Sequence, residues 1–204
     1  MIKAVKCAAV CIALALAAPA QAGMWYVKHS DQITARDSNQ WRPVSVSIEV
    51  PPGLTVSERN ALAPEADIVW RGEQPGNRHQ QVKRIFEDAA KRATAPMRGS
   101  RAVSILIRVG HFHSVTEKAR ALAPAAVHNI KFAIQVFDAR TGERLTQVEV
   151  IQADLQAYTR GKAVQAEVAG LTQRVRIVDH LAKVLASYMK QGPDQRHAFR
   201  SIGR

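Results

Sequence analysis

The sequence predicts an α+β domain: a strand, a helix, a three-stranded meander and a second helix, with two helices packed on one face of a mostly antiparallel sheet. Three observations carry this. Apolar residues alternate with polar ones over Val44 to Val50, Val103 to Val109 and Ile130 to Val136, the period of a half-buried strand. A helical period holds over residues 82–93 and again over 164–189. The two helical stretches bracket the two longer strand signals, so both helices can lie on one face of the sheet.

In the first strand Val44, Val46, Ile48 and Val50 share a face, and Pro51-Pro52-Gly53 ends it. Residues 54–66 are polar and hold no long period, and Asp67 to Trp70 is a short apolar burst that suggests a brief strand with Trp70 as a core anchor. Asn77 can cap the first helix, with Gln80 at the capping-box position. Val82, Ile85, Phe86, Ala89, Ala90 and Ala93 form its buried face, and Pro96 and Gly99 stop it. A symmetric hairpin about the connection at 116–125 pairs Val109 with Phe132 and Ile107 with Ile134, which puts both apolar sets on one side. Asp138 to Glu143 is a tight turn in which Gly142 supplies a positive backbone angle. The strand that follows, from about Leu145 to Leu155, has Val148 and Val150 on one face but Leu145 and Ile151 on the other, which a bulge would reconcile. Val164, Val168, Leu171, Val175, Val178, Ala182, Leu185 and Met189 follow a helical period that Gly170 kinks or divides, and Gly192-Pro193 ends it. Because the first helix lies between the first two strands, these pair in parallel or are separated by another strand.

Residues 1–22 read as a secretory signal peptide. Lys3 and Lys6 precede an apolar run from Ala8 to Ala18, and Ala20-Gln21-Ala22 gives the small-x-small pattern for cleavage after Ala22. The run is too short to cross a bilayer, which takes about 20 apolar residues, and no longer run follows, so no integral membrane segment is expected in the mature chain. The lipoprotein cleavage pattern fails at both cysteines, since Lys6 precedes Cys7 and Val10 precedes Cys11. Both leave with the signal, and a periplasmic protein without a thiol must be held by its core. The expected organisation is a linker over 23–42, a single domain over 43–192 and a basic flexible tail over 193–204. The formal charge of +12 falls to +10 once Lys3 and Lys6 are removed. Lysine and arginine are scattered, and three Trp, three Tyr and five Phe do not interleave with them, which argues against nucleic acid as a partner.

No phosphate loop, dinucleotide fingerprint, zinc-protease helix or Gly-x-Ser-x-Gly elbow is present, so neither enzyme chemistry nor a cofactor is expected. Glu87 and Asp88 are adjacent and diverge on a helix. One candidate metal set exists. His111 and His113 point the same way on a strand, and the symmetric hairpin register places His128 opposite His113, so three imidazoles could gather at one end of the sheet and hold zinc. Against this stands the commoner use of such histidines, a hydrogen bond to a loop backbone. In the 116–125 connection Thr116, Glu117, Lys118 and Arg120 read as a recognition loop or as a solvated hairpin tip. Arg174 and Arg176 lie off the apolar stripe and read as solvated.

The ordered motifs Asp67-Ile68-Val69-Trp70, Gln81-Val82 with Ile85-Phe86, Phe112-His113-x-x-Thr116-Glu117-Lys118-Ala119-Arg120, Val127-His128-Asn129-Ile130-x-Phe132, Asp138-x-x-Thr141-Gly142 and Gly170-x-Thr172-Gln173-x-x-Arg176-Ile177 span nearly the whole mature chain. Together they resemble a family of uncharacterised proteobacterial envelope proteins, a domain of unknown function. In layout the chain is more distantly similar to the amino-terminal domain of the Tol translocation protein and to curli-secretion lipoproteins, a likeness of topology that does not imply function. The resemblance implies an envelope protein and lends no catalytic residue. The leading expectation is a periplasmic, non-enzymatic module that binds another envelope protein through a sheet edge or the 116–125 connection. The alternatives are a small metal binder or enzyme centred on the three histidines, and a binder of anionic envelope polymer driven by net charge.

Overall fold

A computed structural model describes residues 33–193. The expected signal peptide, residues 23–32 of the expected linker and the expected tail from Asp194 lie outside the described residues. The elements follow the order α1 (Ala35–Ser38), β1 (Trp41–Glu49), β2 (Ile68–Val69), α2 (Arg78–Thr94), β3 (Arg101–His113), α3 (Glu117–Leu122), β4 (Val127–Asp138), β5 (Glu149–Gln152), β6 (Leu155–Gln156), α4 (Arg160–Val168) and α5 (Gln173–Tyr188). This is the α+β architecture the sequence predicts.

The main sheet has the order β1-β3-β4-β5. Strands β1 and β3 are parallel, and the pairs β3–β4 and β4–β5 are antiparallel. The short β2 and β6 add to one end of β3 and β4. Ile107 pairs with Ile134 and Val109 with Phe132, as the alternating pattern requires. Helices α2 and α5 pack against each other. The core joins their inner faces to Val103, Ile105, Ile107 and Val109 of β3 and Ile130, Phe132, Ile134 and Val136 of β4. On the other face Ser104, Leu106, Lys131 and Ala133 are half-exposed and Arg108 is exposed.

α2 begins where its cap dictates: the Asn77 side chain accepts from the Gln80 N–H at 3.0 Å. All six apolar positions expected on its inner face are buried. Its exit is constrained by Gly99, where a Cβ would stand 2.0 Å from the Gln40 carbonyl carbon. Only glycine lets the chain pass so close to the start of β1.

Four expectations are corrected. The segment expected as a linker already belongs to the domain at its C-terminal end, since Ile33 and Trp41 are buried in the core and β1 starts at Trp41. In β1 the register shifts between Pro43 and Ser45, so Val44 is the extra residue of a bulge and is 51% exposed instead of facing the core. The 116–125 connection contains α3. The strand expected over 145–155 is broken into β5 and β6; ahead of them Leu145 and Thr146 both donate to the Val136 carbonyl at 2.9 and 3.3 Å, two residues facing one, which is the bulge that turns Leu145 inward. Of the two outcomes expected at Gly170, a kink or a division, the structure has the division: at φ +76 it ends α4, with Leu171 N–H bonding to Ala166 and Gly170 N–H to Glu167, a glycine cap of the Schellman type.

Candidate functional site

Three places concentrate chemistry: the sheet end carrying the histidines, the α3 connection, and the outer edge of β1.

The histidines separate because β3 carries one extra residue. Between Val109 and His111 the register shifts, so His111 pairs with Lys131, Phe112 with Ile130 and His113 with Asn129. Gly110 is the inserted residue. The expectation that His128 faces His113 is therefore corrected. His111 and His113 lie on the solvent-facing side with ring centroids 5.7 Å apart, while His128 sits on the buried side, fully enclosed. The structure brings two of the three imidazoles together and leaves the third across the sheet. Among the described residues no group of three histidine, cysteine or acidic side chains is placed to hold a metal ion. Burial lowers the affinity of His111 and His113 for a proton. The nearby Asp67 carboxylate opposes this at His111, and the charge of His111 adds to it at His113.

His128 belongs to a buried polar chain. Its Nδ1 is 2.9 Å from Ser114 Oγ, and Ser114 Oγ lies 3.1 Å from Gln173 Oε1. The Gln173 carbonyl oxygen can only accept, so the hydroxyl proton goes there and His128 donates from Nδ1 to Ser114. A serine and histidine at this distance would be a nucleophile and its base if the imidazole accepted the hydroxyl proton. Here the polarity is reversed. Nε2 is left as a lone pair with no partner. Burial first, then the Arg176 and Arg120 guanidinium charges and His180, pushes the His128 pKa down to about 3. The imidazole is thus neutral at any ordinary pH. Gln173, the far end of this chain, lines a small cavity with Arg120, Tyr158 and Arg176. Arg176 is half-buried over the Tyr158 ring, 3.4 Å from its centroid, which corrects the expectation of a solvated side chain. Ser114 was invisible to sequence reasoning, because one serine after a strand carries no pattern. Gln173 occurs only in the motif that carries the family resemblance.

The α3 connection is docked on its neighbours. Thr116 is buried, its hydroxyl donating to Ala61 O at 2.7 Å and accepting from Ala119 N–H at 3.1 Å as the helix cap. Glu117 is ion-paired with Arg71, and Arg120 with Glu167 at 2.7 Å. Lys118 is held through its backbone N–H, which donates to Asn60, and its side chain is exposed. Arg174, likewise expected in solvent, bridges Glu73 and Asp88 at 3.2 and 2.6 Å and ties α5 to α2.

The edge of β1 is the third place. Among the described residues β1 pairs with β3 alone, so one side of a nine-residue strand carries unpaired backbone groups. Pro43 and the Val44 bulge interrupt its first half, two devices that discourage pairing. From Ser45 to Glu49 the strand is regular. An open cleft of about 370 Å³ lies at its far end, where Glu49 faces Arg108 at 4.0 Å and Lys83 and His79 of α2 complete the wall.

Among curated proteins none matches the chain. Among solved structures, a Xanthomonas campestris protein of family DUF330 overlaps 73% of this chain and 81% of its own, with 12% identity and a TM-score of 0.43. A candidate lipoprotein from Caulobacter crescentus CB15 covers 78% of this chain and 96% of its own, at 12% identity and a TM-score of 0.34. A minor lipoprotein from Acinetobacter baumannii covers 72% and 90%, at 13% identity and 0.30. The model of the family of unknown function DUF6778 matches residues 41–204, from the first residue of β1 onward, and the chain belongs to that family.

Proposed function

We propose that this protein is a periplasmic, non-enzymatic interaction module that binds another cell-envelope protein by strand addition at the outer edge of β1. The observation that carries this reading is the regular, one-sided stretch from Ser45 to Glu49. A row of unpaired N–H and C=O groups is a template for a partner strand, and main-chain hydrogen bonds supply the affinity. The protein guards the first half of this edge with Pro43 and a bulge and leaves the second half regular, which fits a site of limited length. The signal sequence supports the compartment. The sealed, reversed Ser114–His128 pair supports a structural role for the chemistry that most resembles a catalytic dyad.

A photo-crosslinking residue at Ser47 in living cells tests the reading. Adducts of defined mass should form at Ser47 and not at Lys91, an exposed control position on α2. No adduct at Ser47, or the same adducts at both positions, would refute edge recognition.

A further inference from the structure

We propose that the outer surface of α4, with the end of α3, is a seat for an anionic phospholipid bilayer. This goes beyond edge recognition by β1 and uses a different part of the molecule.

The surface arises from the break at Gly170. The apolar stripe of the sequence continues along one helix on paper, but only its second part, from Ile177 onward, reaches the core. In α4 the inward positions are taken by Ala163 and Ala166, and the larger residues point out: Val164 is 62% exposed and Val168 86%. Leu171, just past the glycine cap, is 48% exposed, and Leu122 on the adjoining α3 is 57% exposed. The two helices are in contact, and Arg160 Nη2 donates to Leu122 O at 3.1 Å. Single exposed apolar residues need no explanation, but a grouped set on neighbouring helices marks an interaction surface.

The charges beside it select the occupant. Lys118, Arg160 and Lys162 are exposed, and none has a carboxylate partner among the described residues. Lys162 instead sits over the Tyr158 ring at 4.3 Å. The two acids of the same helices, Glu117 and Glu167, are already neutralised by Arg71 and Arg120. The result is an outward-facing helix surface of valine and leucine with surplus positive charge. Shallow insertion of apolar side chains and attraction of basic ones to anionic headgroups are each weak, and reversible membrane attachment takes both.

The test uses the protein in the form the cell accumulates, with vesicles of phosphatidylcholine alone and of phosphatidylcholine mixed with phosphatidylglycerol. Cosedimentation is expected with the anionic vesicles and should weaken as salt rises. Val168→Glu should lower the partition coefficient about tenfold or more. Lys162→Glu should lower it several-fold, and Lys91→Glu, the same charge change on α2, should have a clearly smaller effect. Circular dichroism of each variant should match that of the parent, since all three positions are exposed. Absence of binding to anionic vesicles, binding indifferent to Val168→Glu, or equal losses from Lys162→Glu and Lys91→Glu would each overturn the proposal. So would a dimer in lipid-free solution that Val168→Glu dissolves, which would assign the surface to a second copy of the chain.

Discussion

His128 couples the fold to pH. It is buried beside Arg120, Arg176 and His180, and its pKa falls from 6.5 to about 3. In the unfolded chain the imidazole takes up a proton near pH 6.5, whereas in the folded chain it stays neutral until about pH 3. The unfolded state therefore binds more protons between these values, and stability is complete above pH 6.5 and declines as pH falls. The slope is about 1.4 kcal/mol per pH unit for one such group. His180, His111 and His113 are lowered in the same direction by burial and steepen it. Urea unfolding between pH 7.5 and 5 should show this decline, and His128→Gln should remove close to one proton from it while lowering stability at pH 7.5. A slope unchanged by His128→Gln would mean that the imidazole is protonated in the fold. The same residue shows how far the site was legible. The hairpin register singles out His128 as a partner for His113, and that register assumes an uninterrupted ladder, whereas His113 pairs with Asn129. Gly110 held the missing signal, because a lone glycine inside a strand pattern often marks a bulge, and one inserted residue turns every later side chain to the other face.

At the level of elements the periodic segments were readable and the breaks between them were less so. α2 and the β3–β4 pairing follow from patterns that span several turns or pairs, and each misplaced side chain costs burial. α3 is one and a half turns with no apolar stripe of its own, so tertiary contacts through Thr116, Glu117 and Arg120 define it instead. The division of α4 from α5 depends on one backbone angle. At Gly170 a Cβ would meet nothing within 4 Å, so Gly170→Ala tests that angle without a clash. It should destabilise the protein by about 1 kcal/mol, the cost of a left-handed conformation for a residue with a side chain. A urea midpoint unchanged by this substitution would show that the cap bends without penalty and that α4 is free to realign with α5. Lys190 forms the same cap at the end of α5 with φ +53, its N–H bonding to Ser187 and that of Gln191 to Ala186. The cap geometry is thus fixed by the packing and does not depend on glycine alone.

For the whole molecule, the decisive fact is that both cysteines of the sequence, Cys7 and Cys11, precede the described domain. No disulfide can staple residues 33–193, and the fold depends on one core. Its centre is a chain of aromatic rings: Trp70 meets Phe112 at 5.7 Å, Phe112 meets Phe86 at 6.3 Å and Phe86 meets Phe132 at 5.3 Å, all edge to face. Phe86 is the only one of the four on a helix, so it is the ring that joins α2 to β3 and β4. Phe86→Ala should cost about 3–5 kcal/mol, a large part of the roughly 5–15 kcal/mol typical of a domain, and lower the urea midpoint accordingly with the unfolding transition still cooperative. Reductant should leave the midpoint of the parent unchanged. A loss below about 1 kcal/mol in Phe86→Ala would mean that the neighbours collapse into the space and that the other buried residues of α2 hold it to the sheet.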